Sequence, residues 1–510
     1  MDVEKVISDV RISSVVPAKI TGDDKIHHEI TNMDIIMKLH YIKALYFFKN
    51  DVVQGLHIHD LKLPMFQLLQ LYYKTSGRIR RSNDDDGGRP YIKCNDSGVR
   101  IVEAKCKSKT IDEWLMDMNI DASYEELVYH QVLGPDLGFS PLVFIQYKHI
   151  ELVQSSPPTW QSALLSNLII FTLGSPLLVT GLSISGITAA FLLGNLTWRA
   201  LGSSGFLLVA MYFVIFTWFK CGGMSIGLSW AHVLGDAFSA SNFLNMWAQI
   251  MDGQPSPQFL DKSTRTNKLI KNPILSTVKK LPFSLKRVDP VGDHWKLTNT
   301  CKMQSHSFHI TQKKLNQLVS NVCGTKVKPF DVICATIWKF LANVRREYSS
   351  EPKIVTIILR DDNSCDRVTT EVSSNSQVMI SIVEASDIKV FEADTSELAE
   401  LIAEKTEDET RVVEELMEKE NGVSDFVVYG ANLTFVNLEE LRIYDLELRG
   451  KKPSFASYNI SGVGDEGVVL VLPGPKSLNG KEGGKIVNVN LPKGQIEGLK
   501  NEMRKELGIF

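Results

Sequence analysis

Within residues 217–250, TWFKCGGMSIGLSWAHVLGDAFSASNFLNMWAQI, His232 and Asp236 stand four positions apart with Gly235 between them. An imidazole titrates near neutral pH, so a histidine delivered by a buried strand end can serve as a general base, taking a proton from an attacking nucleophile. Gly235 lets the backbone turn tightly beside it. The spacing alone is weak evidence. With 11 histidines in the chain, a chance His-x-x-x-Asp is unsurprising, and a half-buried histidine beside a carboxylate is the competing structural reading.

Other chemistries fail on spacing. In Gly474 to Glu482, GPKSLNGKE, one residue too many separates the glycines of a phosphate loop, and Glu482 stands where Ser or Thr would bind magnesium. There is no GxSxG elbow and no HExxH helix. The 7 cysteines form no CxxC pair, which argues against structural zinc and a disulfide framework; no metal site is expected. His27, His28, His57 and His59 lack carboxylates at matching spacing and read as surface or turn residues.

The elements that must position His232 can be read around it. An apolar strand runs through the Cys221-Gly222-Gly223 interruption, resumes over Met224 to Trp230, breaks at His232 and passes into a helix from Ala237. Upstream, Leu61 to Tyr73 has helical spacing, with Pro64 suited to a first turn. Tyr91 to Cys94 and Val99 to Val102, joined by Asn95-Asp96-Ser97-Gly98, read as a hairpin. Leu142 to Ile145 reads as a fully buried strand. Downstream come a strand at Ser307 to Ile310, a helix after Thr311, an apolar helix from Pro329 to Arg346, and strands at Ile354 to Leu359 and Val378 to Val383. Glu392 to Lys419 reads as one long charged helix. Strands at Asn432 to Val436, Gly467 to Leu472 and Ile486 to Val489 precede a final helix from Gln495.

A chain of 510 residues, 44% hydrophobic and 23% charged, is too long for one core. Mixed α/β structure in two domains is expected. The net charge of -3 and pI near 6.4 leave no basic excess for a nucleic-acid partner. The N-terminal MDVEKVISDV lacks the apolar core of a signal peptide, so synthesis in the cytosol with reduced thiols is expected.

Taken together, FKCGGMSIGLSWAHVLGD, ITNMD (Ile30 to Asp34), GRIR (Gly77 to Arg80), YIKCNDSGVRIVEA (Tyr91 to Ala104), FDVICATIWKF (Phe330 to Phe340) and VNVNLPKGQIEGL resemble the BAHD acyltransferases. Those plant enzymes move an acyl group from coenzyme A to an alcohol or amine. The resemblance implies two similar chloramphenicol-acetyltransferase-like domains flanking a central channel. It makes His232 the catalytic base, with Asp236 and Gly235 structural and Asp236 pointing away to pair with a basic residue. A coenzyme A thioester is then the substrate, no cofactor is bound, and the protein acts as a monomer. Two family features are altered. The DFGWG signature falls on Glu447, Leu448, Arg449, Gly450 and Lys451; YFGN falls on Val372 to Asn375, with only the asparagine kept.

This pattern of loss, with YGANLTFVNLEELRIYDLELRGKKPSFASYNISGVGDEGVVLVLPGP (429–475), is similar to the ECERIFERUM-type wax subgroup. That similarity implies a role in very-long-chain fatty acid elongation for cuticular wax, in the cytoplasm or associated with the endoplasmic reticulum. An alternative is a non-catalytic partner of the elongase condensing enzyme on the same fold. The expected organisation is an N-terminal acyltransferase-like domain (1–262), a linker (263–300) and a C-terminal acyltransferase-like domain (301–510). Against the family, Gln146 should run almost directly into Thr217. The block 147–216, with no charged residue between Glu151 and Arg199, is therefore an apolar insertion, read either as a membrane hairpin with an even number of spans or as a retained intron translated in frame.

Overall fold

The computed structural model describes residues 7–82, 88–106, 110–116, 127–128, 140–149, 222–254, 281–292, 295, 297, 299–322, 326–346, 351–361, 374–475 and 483–509. Most of the block 147–216 and of the segment 263–300 lies outside them. Among the described residues no helix is long and apolar enough to cross a membrane.

Two large mixed sheets organise the chain. The first has six strands in the order Ile7–Val15, Val99–Cys106, Val143–His149, Met224–Ala231, Tyr41–Phe48 and Phe455–Ser461. The second has seven, in the order Met303–Ile310, Lys485–Pro492, Val468–Pro473, Leu433–Asn437, Ile354–Arg360, Val378–Glu384 and Glu407–Asp408. The edge strand Phe455–Ser461 comes from the C-terminal part of the chain yet pairs antiparallel with Tyr41–Phe48, tying the two halves together. A polar seam reinforces that tie. Asn488 Nδ2 donates to Ser457 Oγ at 2.7 Å, and Asn459 Nδ2 donates to Ser305 Oγ at 2.9 Å.

Every residue of Met224–Ala231 is buried, as befits an interior strand with both faces covered. It pairs antiparallel with Tyr41–Phe48 on one side and Val143–His149 on the other. On one face of this sheet pack the helices Ile58–Leu71 and Ala237–Met251, pinned together where Trp247 Nε1 donates to Leu61 O at 2.8 Å. Fully burying side chains such as Trp230, Phe243 and Trp247 stabilises by roughly 2–3 kcal/mol apiece.

Four local expectations change. Pro64 is not in a first turn: the helix begins at Ile58, where the His57 N–H donates to Asp60 Oδ2 at 2.8 Å, and Pro64 lies inside it. The start is fixed by this cap, so the proline costs one main-chain hydrogen bond within the helix. Tyr91 to Cys94 and Val99 to Val102 form no hairpin. Pro90–Lys93 joins Arg78–Arg81 and His27–Glu29 in a small sheet, while Val99–Cys106 enters the first large sheet. The connection does turn through positive φ at Asp96 and Gly98, and it redirects the chain between sheets. The long charged helix is two, Thr395–Glu404 and Thr410–Lys419, separated by the short strand Glu407–Asp408. The edge strand Phe455–Ser461 falls within a stretch where sequence patterning indicates no strand.

Candidate active site

His232 opens a single 3₁₀ turn, His232–Leu234, at the end of the strand Met224–Ala231. Three contacts fix this turn. The His232 N–H donates to His40 O at 3.1 Å, Trp230 Nε1 donates to Gly235 O at 3.1 Å, and Asn375 Nδ2 donates to His232 O at 2.8 Å. Gly235 has φ 146°, in the region that favours glycine, and a Cβ there would stand 2.8 Å from Ser239 Oγ.

The imidazole is 2% exposed. Its Nε2 lies 2.9 Å from the Tyr429 hydroxyl, whereas Nδ1 makes no hydrogen bond to another group among the described residues. Burial pushes its pKa down to about 4, opposed by its own carbonyl and by Asn375. The ring is thus neutral near pH 7, the form a general base requires.

Asp236 is the N-cap of the helix Ala237–Met251. Its Oδ1 accepts from the Ser239 N–H and from Ser239 Oγ, each at 2.8 Å. Burial raises its pKa, opposed by the Ser239 bonds and the charge of Arg360. Asp236 makes no ion pair within 4.0 Å among the described residues; Arg360 instead stacks its guanidinium over Phe238, 4.3 Å from the ring centroid. The carboxylate therefore holds the helix start, and among the described residues no hydrogen bond joins it to the imidazole.

A pocket partly open to solvent lies between the two sheets, with His232, Asp236, Arg360 and Tyr429 in its wall. Most of its lining is apolar, including Ile42, Ile358, Val436, Leu438, Ile460 and Leu470. Strands of both sheets contribute. Such a lining suits an apolar group brought beside a single basic nitrogen.

Three segments distant in sequence converge behind the histidine. Asn375, besides holding His232 O, gives its main-chain N–H and its Nδ2 to Asp34 Oδ1, both at 2.9 Å. Asp34 is buried and its pKa is raised by that burial, opposed by Thr31 and Asn375. The asparagine kept from the altered Val372 to Asn375 segment and the aspartate of ITNMD thus brace the same loop.

The second signature is elsewhere. Glu447, Leu448, Arg449, Gly450 and Lys451 form a tight turn in which Leu448 and Lys451 exchange main-chain bonds at 2.9 and 3.0 Å. Arg449 and Gly450 both have positive φ, 52° and 70°, the pattern of a type I′ hairpin turn. Lys451 pairs with Asp51 at 2.6 Å, and Arg449 Nη1 donates to Gln54 O at 2.7 Å. None of the five lines the cavity.

Tyr429, His40 and Arg360 had no signal in motif spacing. Tyr429 is separated from His232 by 197 residues, and its placement depends on the close approach of two glycines. Gly430 has φ 85°, and a Cβ on it would stand 2.4 Å from Gly464 O. The pair Tyr429-Gly430 is visible in the sequence, but its partner Gly464 is found only in the fold.

The chain resembles known proteins in both sequence and fold. The Transferase family model matches residues 6–150 and 208–506, passing over 151–207. Protein ECERIFERUM 2 of Arabidopsis thaliana is 36% identical over 510 residues, covering 98% of each chain. Among solved structures, vinorine synthase superposes with a TM-score of 0.57 at 16% identity, over 96% of each chain. TRI101 of F. graminearum, in a complex with coenzyme A and deoxynivalenol, does so with a TM-score of 0.61 at 11% identity, over 93% of this chain and 97% of its own. These likenesses establish the two-domain acyltransferase-like fold. A separate match of 68 residues, 74% identical and covering 13% of this chain and 20% of the other, is to Protein VTE6, chloroplastic, of Arabidopsis thaliana. From the family match and the near-full-length similarity to ECERIFERUM 2, the chain belongs to the transferase family of BAHD acyltransferases, in its ECERIFERUM-type branch.

Proposed function

We propose that this protein handles long-chain acyl-CoA in very-long-chain fatty acid elongation for cuticular wax, with His232 as the base that takes the acceptor's proton. The observation that carries this reading is a buried imidazole in the wall of a predominantly apolar pocket between the two sheets. The cavity would take the acyl chain, and the coenzyme A thioester is substrate rather than a resident cofactor. When the acceptor's oxygen or nitrogen attacks the thioester carbonyl, its hydrogen passes to His232 Nε2; the departing thiolate then takes that proton back. A positioned base of this kind contributes roughly 10²–10⁴-fold. Asp236 and Gly235 shape the loop without entering the chemistry.

A second reading is favoured by one contact. Nε2 is already held by the Tyr429 hydroxyl, which fits a non-catalytic partner of the elongase condensing enzyme, acting as a monomer at the endoplasmic reticulum and presenting a bound chain. Both readings require acyl-CoA. Calorimetric titration of the purified protein with a very-long-chain acyl-CoA and with free coenzyme A tests that requirement: saturable binding that needs the acyl chain is expected, and absence of acyl-CoA binding would overturn both.

We also infer that 147–216 is an insertion in a hairpin that the family closes directly. The family match stops at 150 and resumes at 208, and His149 faces Met224 in register, so the two strand ends lie within reach of a short turn.

A further inference from the structure

We propose that Tyr429 occupies the place of the acceptor hydroxyl and so decides which acceptors reach His232, the base being free only when this side chain gives way. The proposal rests on the acyl-CoA reading above and concerns the same site. An alcohol acceptor must bring an O–H to hydrogen-bond distance of Nε2. A tyrosine O–H is already there, at 2.9 Å. The His232 carbonyl favours a proton on the ring, and a neutral imidazole carrying it on Nδ1 leaves the Nε2 lone pair to accept from the tyrosine. No other hydrogen bond of the Tyr429 hydroxyl occurs among the described residues.

The ring is held in place. Tyr429 is 2% exposed, and its carbonyl accepts from the Gly464 N–H at 2.8 Å. The next residue is locked by the approach of Gly430 to Gly464. On its flank His40 meets the ring edge-on, with centroids 4.8 Å apart at 86°. His40 is itself fixed: Nδ1 bonds Gly462 O at 2.8 Å, and Nε2 accepts from the Val428 N–H at 3.3 Å. Those bonds require the Nδ1–H tautomer of His40, which makes it a positioning residue for Tyr429.

Selectivity follows from this arrangement. Water or a small alcohol gains little in the cavity with which to displace a well-packed ring. An acceptor with a long apolar body gains more from the lining, and that remote binding energy can be spent at the reacting centre. In the completed step the acceptor's hydrogen moves to Nε2, its oxygen bonds the acyl carbon, the carbon–sulfur bond breaks, and the thiolate leaves with the proton returned by the imidazolium.

The test compares wild type, Tyr429→Phe, Tyr429→Ala and the double variant Tyr429→Phe/His232→Ala, with folding checked by thermal melts. Release of coenzyme A from palmitoyl-CoA in water is measured beside palmitoyl-CoA binding, and ethoxyformylation of His232 by diethyl pyrocarbonate is followed by peptide mass spectrometry. Expected are at least tenfold faster release by Tyr429→Phe, lost in the double variant, and at least tenfold faster modification of His232 in Tyr429→Ala. Release by Tyr429→Phe equal to or slower than wild type, with binding intact, overturns the proposal. If no variant binds palmitoyl-CoA, the acyl-CoA reading fails on its own, and the modification rate decides the role of Tyr429: faster in Tyr429→Ala supports it, and equal rates, or none in either protein, overturn it.

Discussion

The side-chain amide of Asn375 donates to the main-chain oxygen of His232 at 2.8 Å, across 143 residues of sequence. The same nitrogen donates to Asp34 Oδ1 at 2.9 Å. One buried asparagine therefore couples the histidine loop of the first sheet to the chain entering the strand Val378–Glu384 of the second. Asn375→Ala would leave a carbonyl and a buried carboxyl short of donors. The expected loss is about 1–3 kcal/mol of stability, read as a lower urea midpoint at unchanged slope; an unchanged midpoint would show that the brace carries no energy.

Acid should destabilise this protein through its buried histidines. His232 and His40 have pKa values pushed down, mainly by burial, to about 4 and about 3 from 6.5. Between the folded and ordinary values the unfolded chain binds more protons, so stability rises with pH in that window. Their contribution is fully present above about pH 6.5 and is lost as pH falls toward 4 for His232 and toward 3 for His40. For His232 the drop corresponds to about 3 kcal/mol. Denaturant unfolding of wild type and His232→Gln from pH 7 to 4 should show a shallower decline in the variant; parallel declines would contradict the assignment.

Asp236 should behave as a cap. Asp236→Ala removes the acceptor for the Ser239 N–H and is expected to cost about 1 kcal/mol, while Asp236→Asn keeps an acceptor oxygen and most of the stability. Melting temperatures and acyl-CoA affinities of the two variants check this. A collapse of affinity in a stable Asp236→Asn protein would instead mean that the carboxylate acts on the ligand.

The block 147–216 should be dispensable for folding. The strand residues Tyr147, Lys148 and His149 face Ile226, Ser225 and Met224. Deleting 147–216 leaves the chain to return to Met224 through a short connection that includes Gly222, which already has φ 81°. A monomeric deletion variant with a cooperative melt is expected, and an aggregated one would contradict the insertion reading.

Much of the site was legible in the sequence because its parts are local. The strand, the tight Gly235 turn and the helix from Ala237 follow one another directly, and periodicity and turn chemistry report such features well. The strands at Ile354–Arg360 and Val378–Glu384 were legible for the same reason, as short apolar runs. What periodicity could not report was long-range. Tyr429 sits on Nε2 because Gly430 and Gly464 approach closely, and Phe455–Ser461 completes the first sheet because Tyr41–Phe48 offers it an edge. Neither partner is encoded nearby. Tyr91 to Cys94 and Val99 to Val102 show the converse: local turn residues of hairpin type serve a crossing between sheets when each strand finds a better partner elsewhere.

The most direct test of the role given to His232 is cuticular wax load in wax-deficient plants expressing wild type or His232→Ala, with both proteins accumulating to the same level. The account predicts that wild type restores the very-long-chain wax components and that the folded His232→Ala protein does not. Full restoration by His232→Ala would contradict a base at this position and leave the non-catalytic elongase partner as the reading.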